Sequence, residues 1–410
     1  SASYDGTNWV LGAATGIDGT VIGATTPAAG SFTTADIDGG TIDGTVIGGT
    51  TPAAGTFTDA ASDSLTVNGN AYPSDGALSN RNIILNGAMQ VAQYGTSVTA
   101  AGTSAYSTAD RYKFQTNLNT DSVLSQAEDG PDGFDRSFKL TVGTGATPIT
   151  SDFGRLYYRV EGYDIDQFAL GSVASEAVTL SFWVKSSVAG TYGVKFAGDG
   201  LGAYTASYTV DVINTWEHKS VTIPAGVWTT YNGSTTNGIG FQIAWDLGEG
   251  PDRSNAVGYD ATEASGDMGL TGAVKILATT GATWQITGVQ LELGDTATPF
   301  EHRGFGQELA LCHRYARTYP INRLSMCPEG SLGDNTQAGI QYAPMRATPT
   351  STNITVPSIV VNGSAAAYGT FLVVPSSTTD AAVLAQGITA SAYGASVLLT
   401  TGIVFLDAEL

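Results

Sequence analysis

Three histidines, His218, His302 and His313, are all the imidazole in this chain of 410 residues, and their scarcity narrows its chemistry. No H-x-x-x-H or C-x-x-C spacing occurs, so no transition-metal site is expected. Neither a G-x-S-x-G elbow nor a phosphate-cradling P-loop is present. Nucleophile-plus-base catalysis therefore lacks its parts, and no catalytic residue is assigned. Glycan hydrolysis needs only two carboxyls flanking a cleft, about 5 to 9.5 Å apart. Asp164 with Asp166, or Asp246 with Glu249, are the pairs that fit that requirement. Carboxylates in loops of an acidic protein are ordinarily solvated surface, and that is the expectation for both pairs.

The segment from Asp246 to Asp267 concentrates six acids, Asp246, Glu249, Asp252, Asp260, Glu263 and Asp267, against the single base Arg253. Their repulsion would be relieved by a hard cation, and Ca²⁺ takes loop oxygens readily. The spacing is not that of an EF-hand. A plain solvated loop is the expectation, with a structural Ca²⁺ as its alternative; no other cofactor is implied.

Sugar recognition uses flat aromatic faces together with a few polar groups. In Leu180-Ser181-Phe182-Trp183-Val184-Lys185 the alternation sends Leu180, Phe182 and Val184 to a core and turns Trp183 outward beside Ser181 and Lys185. Tyr157, Arg159 and Glu161 have the same outward relation to Leu156, Tyr158 and Val160. A ligand and another chain explain an exposed Trp183 equally well. Trp228 and Tyr231 lie in a turn-rich loop and are expected at a rim. By parity with Phe241 and Ile243, Trp245 belongs to the core, and Trp284 opens a buried strand. The candidate carbohydrate-binding residues are thus Trp183, Lys185, Tyr157, Arg159, Trp228 and Tyr231.

The formal charge of −20 repels phosphate backbones and anionic lipid, so neither nucleic acid nor a bare membrane surface is an expected partner. No apolar run approaches the length of a membrane span. Cys312 and Cys327 are too few for a disulfide framework; they read as two buried thiols, with a bond between them as the alternative. Ser1 in place of an initiating Met points to a fragment of a longer chain or a processed product.

The elements that must position these residues are strands. Charged residues make up only 13% of the chain while Gly reaches 52 residues, a mixture of pleated segments and turns. Ile17-Asp18-Gly19-Thr20-Val21-Ile22-Gly23 returns as Ile42-Asp43-Gly44-Thr45-Val46-Ile47-Gly48, and Thr25-Thr26-Pro27-Ala28-Ala29-Gly30 as Thr50-Thr51-Pro52-Ala53-Ala54-Gly55. Each repeat carries too few apolar anchors to bury a face by itself, so copies from other chains are expected, three of them, around a shaft over 1–78. From 79 to 303, at least eight alternating runs predict a two-sheet β-sandwich of jelly-roll kind. They include 111–114, 137–142, 156–160, 178–185, 193–196, 220–223, 241–245 and 284–293. A small β-rich end domain over 304–410 begins with the one helical candidate, 308–315. The fold class is therefore mostly β: trimeric shaft, sandwich, then end domain with one short helix.

The Thr-Thr-Pro-Ala-Ala-Gly repeat resembles shaft repeats of tailed-bacteriophage fibre proteins. Asn80-Arg81-Asn82-Ile83-Ile84-Leu85-Asn86-Gly87-Ala88-Met89, Asp110-Arg111-Tyr112, Ile286-Thr287-Gly288-Val289-Gln290-Leu291-Glu292, Ala297-Thr298-Pro299-Phe300-Glu301 and Tyr342-Ala343-Pro344-Met345-Arg346 are similar to the distal part of tail-fibre and receptor-binding proteins. The resemblance implies an extracellular virion appendage, homotrimeric, with a sandwich like a carbohydrate-binding module. Its implied partners are host surface polysaccharide and other tail or baseplate proteins through a preceding segment. A polysaccharide depolymerase of the same location is the alternative; a bacterial surface adhesin fits the composition but not the repeats.

Overall fold

The computed structural model describes residues 2–4, 9–11, 66–67, 70–71, 79–100, 104–198, 201–231, 233–264, 266–321, 324–328, 336–361, 364–366, 371–375, 380–385 and 397–410. Two compact units divide the chain, 1–61 and 62–410. In the first, Ala2–Tyr4 pairs antiparallel with Trp9–Leu11. The expected trimeric shaft lies outside the described residues.

The second unit is built on two antiparallel sheets. The six-stranded sheet runs in the order Glu217–Ile223, Val178–Ser186, Thr283–Leu293, Ser137–Thr141, Ser122–Ala127, Ser97–Ala100. The seven-stranded sheet runs Gly258–Ala264, Leu201–Val210, Gly190–Ala197, Ile239–Asp246, Gly154–Glu161, Tyr112–Thr116, Ser104–Tyr106. Each predicted run falls on one of these strands. Val178–Ser186 shows why: its inward set Leu180, Phe182 and Val184 is fully buried, while Trp183 and Lys185 stay half-exposed. Strands such as Leu201–Val210 escape the pattern because their apolar partners are Ala and Tyr separated by Gly, Ser and Thr.

Aromatic rings fill the space between the sheets. Phe182 meets Tyr208 edge-on at 5.0 Å and Trp245 at 5.9 Å, and Tyr208 stacks on Tyr192 at 5.5 Å. Trp284 buries its ring and donates its Nε1–H to the Tyr208 hydroxyl at 3.3 Å, so the polar ends of both rings are accommodated in a dry core.

Helix Phe305–Cys312 begins three residues earlier than the apolar spacing indicates, because extended Gly304 starts it, and stops where Tyr315 turns back into the sandwich. Among the described residues, no helix is long and apolar enough to cross a membrane. Cys312 is a buried free thiol; the Cys327 side chain lies outside the described residues. Beyond the helix, an eight-stranded antiparallel sheet centres on Val397–Asp407, which pairs with Thr350–Val361, Ala316–Ile321 and Leu324–Pro328.

This last strand brings Glu409 to Arg111. The two side chains are 2% and 1% exposed and form an ion pair, so both charges are withdrawn from water and depend on each other. The Arg111 guanidinium lies 3.5 Å over the Tyr315 ring and donates to the Arg159 carbonyl at 2.5 Å. Those contacts hold Arg111 at φ 75, a backbone region unfavourable to a side chain of this kind. Glu409→Gln leaves a buried guanidinium without its counter-charge, a loss worth about 3–5 kcal/mol. Urea denaturation should show a fall of that order, and an unchanged midpoint would show that the pair holds nothing together.

Candidate functional site

The two sheets treat their outer faces differently. On the seven-stranded sheet the outward residues Arg155, Tyr157, Lys195, Thr205 and Gln242 are all buried, at 0–4% exposed. Residues 266–268, after the edge strand Gly258–Ala264, close over them: Met268 packs with Tyr157, Ala197, Ala203 and Ala244, Arg155 donates to the Gly266 carbonyl at 2.8 Å, and Lys195 donates to the Asp267 carbonyl. Arg159 donates to Gln242 at 3.0 Å and to the Leu410 carbonyl at 2.7 Å. Alternation does place Tyr157 and Arg159 on the outer side. The covering segments then close over them, so Tyr157 presents no free ring and Arg159 holds the last strand's extension.

The acidic segment is part of that cover, and the structure does not bring its six acids together. Asp246 accepts from the Lys275 ammonium at 2.6 Å and from the backbone N–H groups of Glu249 and Leu270, each at 3.0 Å. Glu249 lies 2.9 Å from Arg155, and Asp267 lies 3.7 Å from Arg253. Asp252 and Asp260 are exposed, and the Glu263 side chain lies outside the described residues. Among the described residues no group of His, Cys, Asp or Glu is placed to hold a metal ion. Lys275 and Arg155 supply the positive charge for which Ca²⁺ was the alternative. As a hydrolytic pair, Asp246 and Glu249 are sealed away from any polymer.

Trp228 does not stand at a rim. It is 1% exposed, packed on Phe241 at 5.5 Å and Tyr259 at 5.7 Å, because its loop has little else to anchor it to the core. Tyr231 donates its hydroxyl to the Gly240 carbonyl at 2.9 Å, closing the same loop.

The six-stranded sheet also hides most of its outer face, with Thr179, Ser181, Gln285, Thr287, Gln290 and Glu292 at 0–4% exposed, but around Trp183 and Lys185 it stays partly open, and there the two have company from distant parts of the chain. Strand pairing sets Trp183 opposite His218, with ring centroids 5.2 Å apart, and His218 is exposed. Across the neighbouring strand lies Gly288, at φ 60 in a bulge of Thr283–Leu293. A Cβ there would come within 2.8 Å of the Phe134 ring and 2.9 Å of Trp183, so glycine lets both rings lie down over the strand. Phe134 continues to His302 at 5.0 Å and Phe300 at 5.0 Å. The result is one aromatic row: His218, Trp183, Phe134, His302, Phe300.

Polar groups flank the row. Lys185 pairs with Asp129 and lies 5.0 Å over the Trp216 ring, whose Nε1–H donates to Asp129 at 3.3 Å. Burial opposes the Asp129 charge, but the hydrogen bonds from Lys185 and Trp216 prevail and hold its carboxyl below the usual range. Burial pushes the His218 imidazole down, keeping it neutral and able to donate and accept. Sequence reasoning finds Trp183 and Lys185 by alternation. Phe134, Trp216, His218 and His302 join them only through strand pairing and loop return, which no local pattern reveals.

A second concavity of about 690 Å³ lies between residues 80–85, the short turns Gly162–Asp164 and Asp166–Phe168, and the helix. Asp164 and Asp166 stand exposed on its wall beside exposed Tyr163.

No family model matches the chain. No curated protein matches it either. Among solved structures, the chain is similar to the enzymatically active domain of tailspike protein 4 of bacteriophage CBA120, at 16% identity and TM-score 0.27, over 52% of this chain and 21% of that one. It is also similar to a family 11 carbohydrate-binding module from Clostridium thermocellum in complex with a β-1,3-1,4-mixed-linked tetrasaccharide, at 10% identity and TM-score 0.25, over 50% of this chain and 98% of that one. A family 30 carbohydrate-binding module is similar at 12% identity and TM-score 0.25, over 52% and 89%.

The covered face carries a pH signature. Burial is the dominant influence on Glu249 and pushes its carboxyl up to about 8, with Arg155 acting against it. A carboxyl raised from its ordinary 4.5 binds more protons folded than unfolded, so stability falls as pH rises between about 4.5 and about 8. Glu249→Gln should flatten that part of the stability profile, read by denaturation across the window. An identical profile would show that Glu249 titrates normally.

Proposed function

We propose that this protein is a non-enzymatic attachment protein of a tailed-phage fibre that binds glycan on the bacterial surface. In this reading 1–78 is an intertwined shaft, 79–303 the sandwich and 304–410 the tip, assembled as a homotrimer outside the cell. The observation that carries glycan binding is the open aromatic row from His218 to Phe300, edged by Lys185 and Asp129. Pyranose rings present C–H faces that stack on aromatic planes and hydroxyls that such polar groups satisfy. The phage assignment is supported by the repeat and by the tail-fibre-like segments. Three sites on one rod would multiply avidity without any new contact at each.

A depolymerase remains the second reading because Asp164 and Asp166 are accessible in a cleft. Trp183→Ala in the full chain should weaken binding to the recognised surface polysaccharide about tenfold, the value of one lost stacked ring. Undiminished binding would remove the aromatic row from the account, and release of new reducing ends by the unaltered protein would favour the enzyme. Native mass measurement should give three chains; a monomer would contradict the shaft.

A further inference from the structure

The cleft beside the helix differs from the aromatic row in its residues and in its charge. Its two guanidinium groups are already neutralised. Arg314 donates to both Glu161 oxygens, at 2.9 and 2.5 Å, and Arg303 lies 3.6 Å from Glu308 while donating to the carbonyls of Ile84 and Asn82. Asp164 and Asp166, also in the lining of the cleft, are exposed and form no ion pair with any described residue. The two turns carrying them are fixed from beneath, because Ile165 and Phe168 between and after them are buried and Phe168 meets Phe241 at 5.9 Å. Tyr163 beside them is 58% exposed, and Leu311 on the helix is 36% exposed, so the cleft also offers a ring and an aliphatic surface.

A concave site with an exposed aromatic ring, an aliphatic surface, amides from Asn80 and Gln307, and two exposed carboxylates without an ion-pair partner among the described residues favours a ligand that is ring-shaped and positively charged. We infer that this cleft binds a saccharide unit carrying a free, protonated amine, with Tyr163 against the sugar ring and Asp164 and Asp166 facing the ammonium group. A neutral sugar can only hydrogen-bond the carboxylates through its hydroxyls, without neutralising their charge, and an acidic one is repelled by them. This inference rests on the glycan-attachment reading and gives it a second, charge-selective subsite.

Titration calorimetry of the full chain with a glucosamine oligomer and with its N-acetylated counterpart tests it. The amine form should bind at least about tenfold more tightly. The double variant Asp164→Asn, Asp166→Asn should remove that preference while leaving the melting curve in place, since both side chains are exposed. Trp183→Ala should leave the preference untouched. Equal affinity for the two oligomers, no binding of the amine form, or a preference that survives the double variant would each overturn the inference. None of these outcomes touches the aromatic row, whose own variant and polysaccharide report separately. Loss of the amine preference in Trp183→Ala would place the amine at the other face and overturn it as well.

Discussion

The interlock of Phe182 with Tyr208 and Trp245 is the constraint from which the rest of the molecule takes its bearings. In a β-strand the side-chain period is two, and a slip of one residue would exchange every inner side chain for an outer one. Rings of this size, fully buried and set edge to face, cannot be exchanged for Lys, Ser or Gln. The core therefore dictates what each strand shows to the outside, and Trp183 is turned outward because Phe182 and Val184 must be inside.

Given that constraint, the two outer faces diverge through what covers them. On the seven-stranded sheet, ion pairs from Arg155 and Lys275 to Glu249 and Asp246 bind the covering segment down, and the Arg159 contact adds residue 410. On the six-stranded sheet residues 298–301 cover Gln290 and Glu292 and the Phe134 ring lies over Gly288, while Trp183 stays partly exposed and His218 exposed. Elsewhere the long-range polar contacts tie one part of the chain to another. Asn82 accepts the Leu291 N–H at 3.1 Å, Glu301 accepts the Asn82 N–H at 3.0 Å, and Glu308 accepts the Asn86 N–H at 2.5 Å. These bonds dock residues 80–89 and the helix on the sandwich, which gives much of the tail-fibre-like segments a framework role.

Strand identity was legible wherever large apolar residues alternate with polar ones, as in Val178–Ser186 and Ile239–Asp246. Ser122–Ala127 and Leu201–Val210 were not, since Leu124 is the one large inward side chain of the first and small Ala206 stands between Tyr204 and Tyr208 in the second. Most of the aromatic row was also hidden. Trp183 announces itself by parity, but Phe134 and His302 reach it from loops about 50 and 120 positions away, and proximity created by register has no local signature. Trp228 misleads for the opposite reason: a glycine-rich loop reads as surface, yet its one large ring is what attaches it to the core. The six acids before residue 268 read as a solvated loop, with a Ca²⁺ site as the alternative, because Arg155 and Lys275, the partners of Glu249 and Asp246, lie on other strands and turns.

The central claim is that glycan binds along the aromatic row around Trp183. A crystal structure of the protein with an oligosaccharide fragment of the surface polysaccharide it recognises tests this most directly. The account predicts a sugar ring stacked on Trp183 with its neighbours running along Phe134 toward His302. A fragment bound instead against Tyr157 and Arg159, with residues 266–268 displaced and the Trp183 face empty, would contradict it.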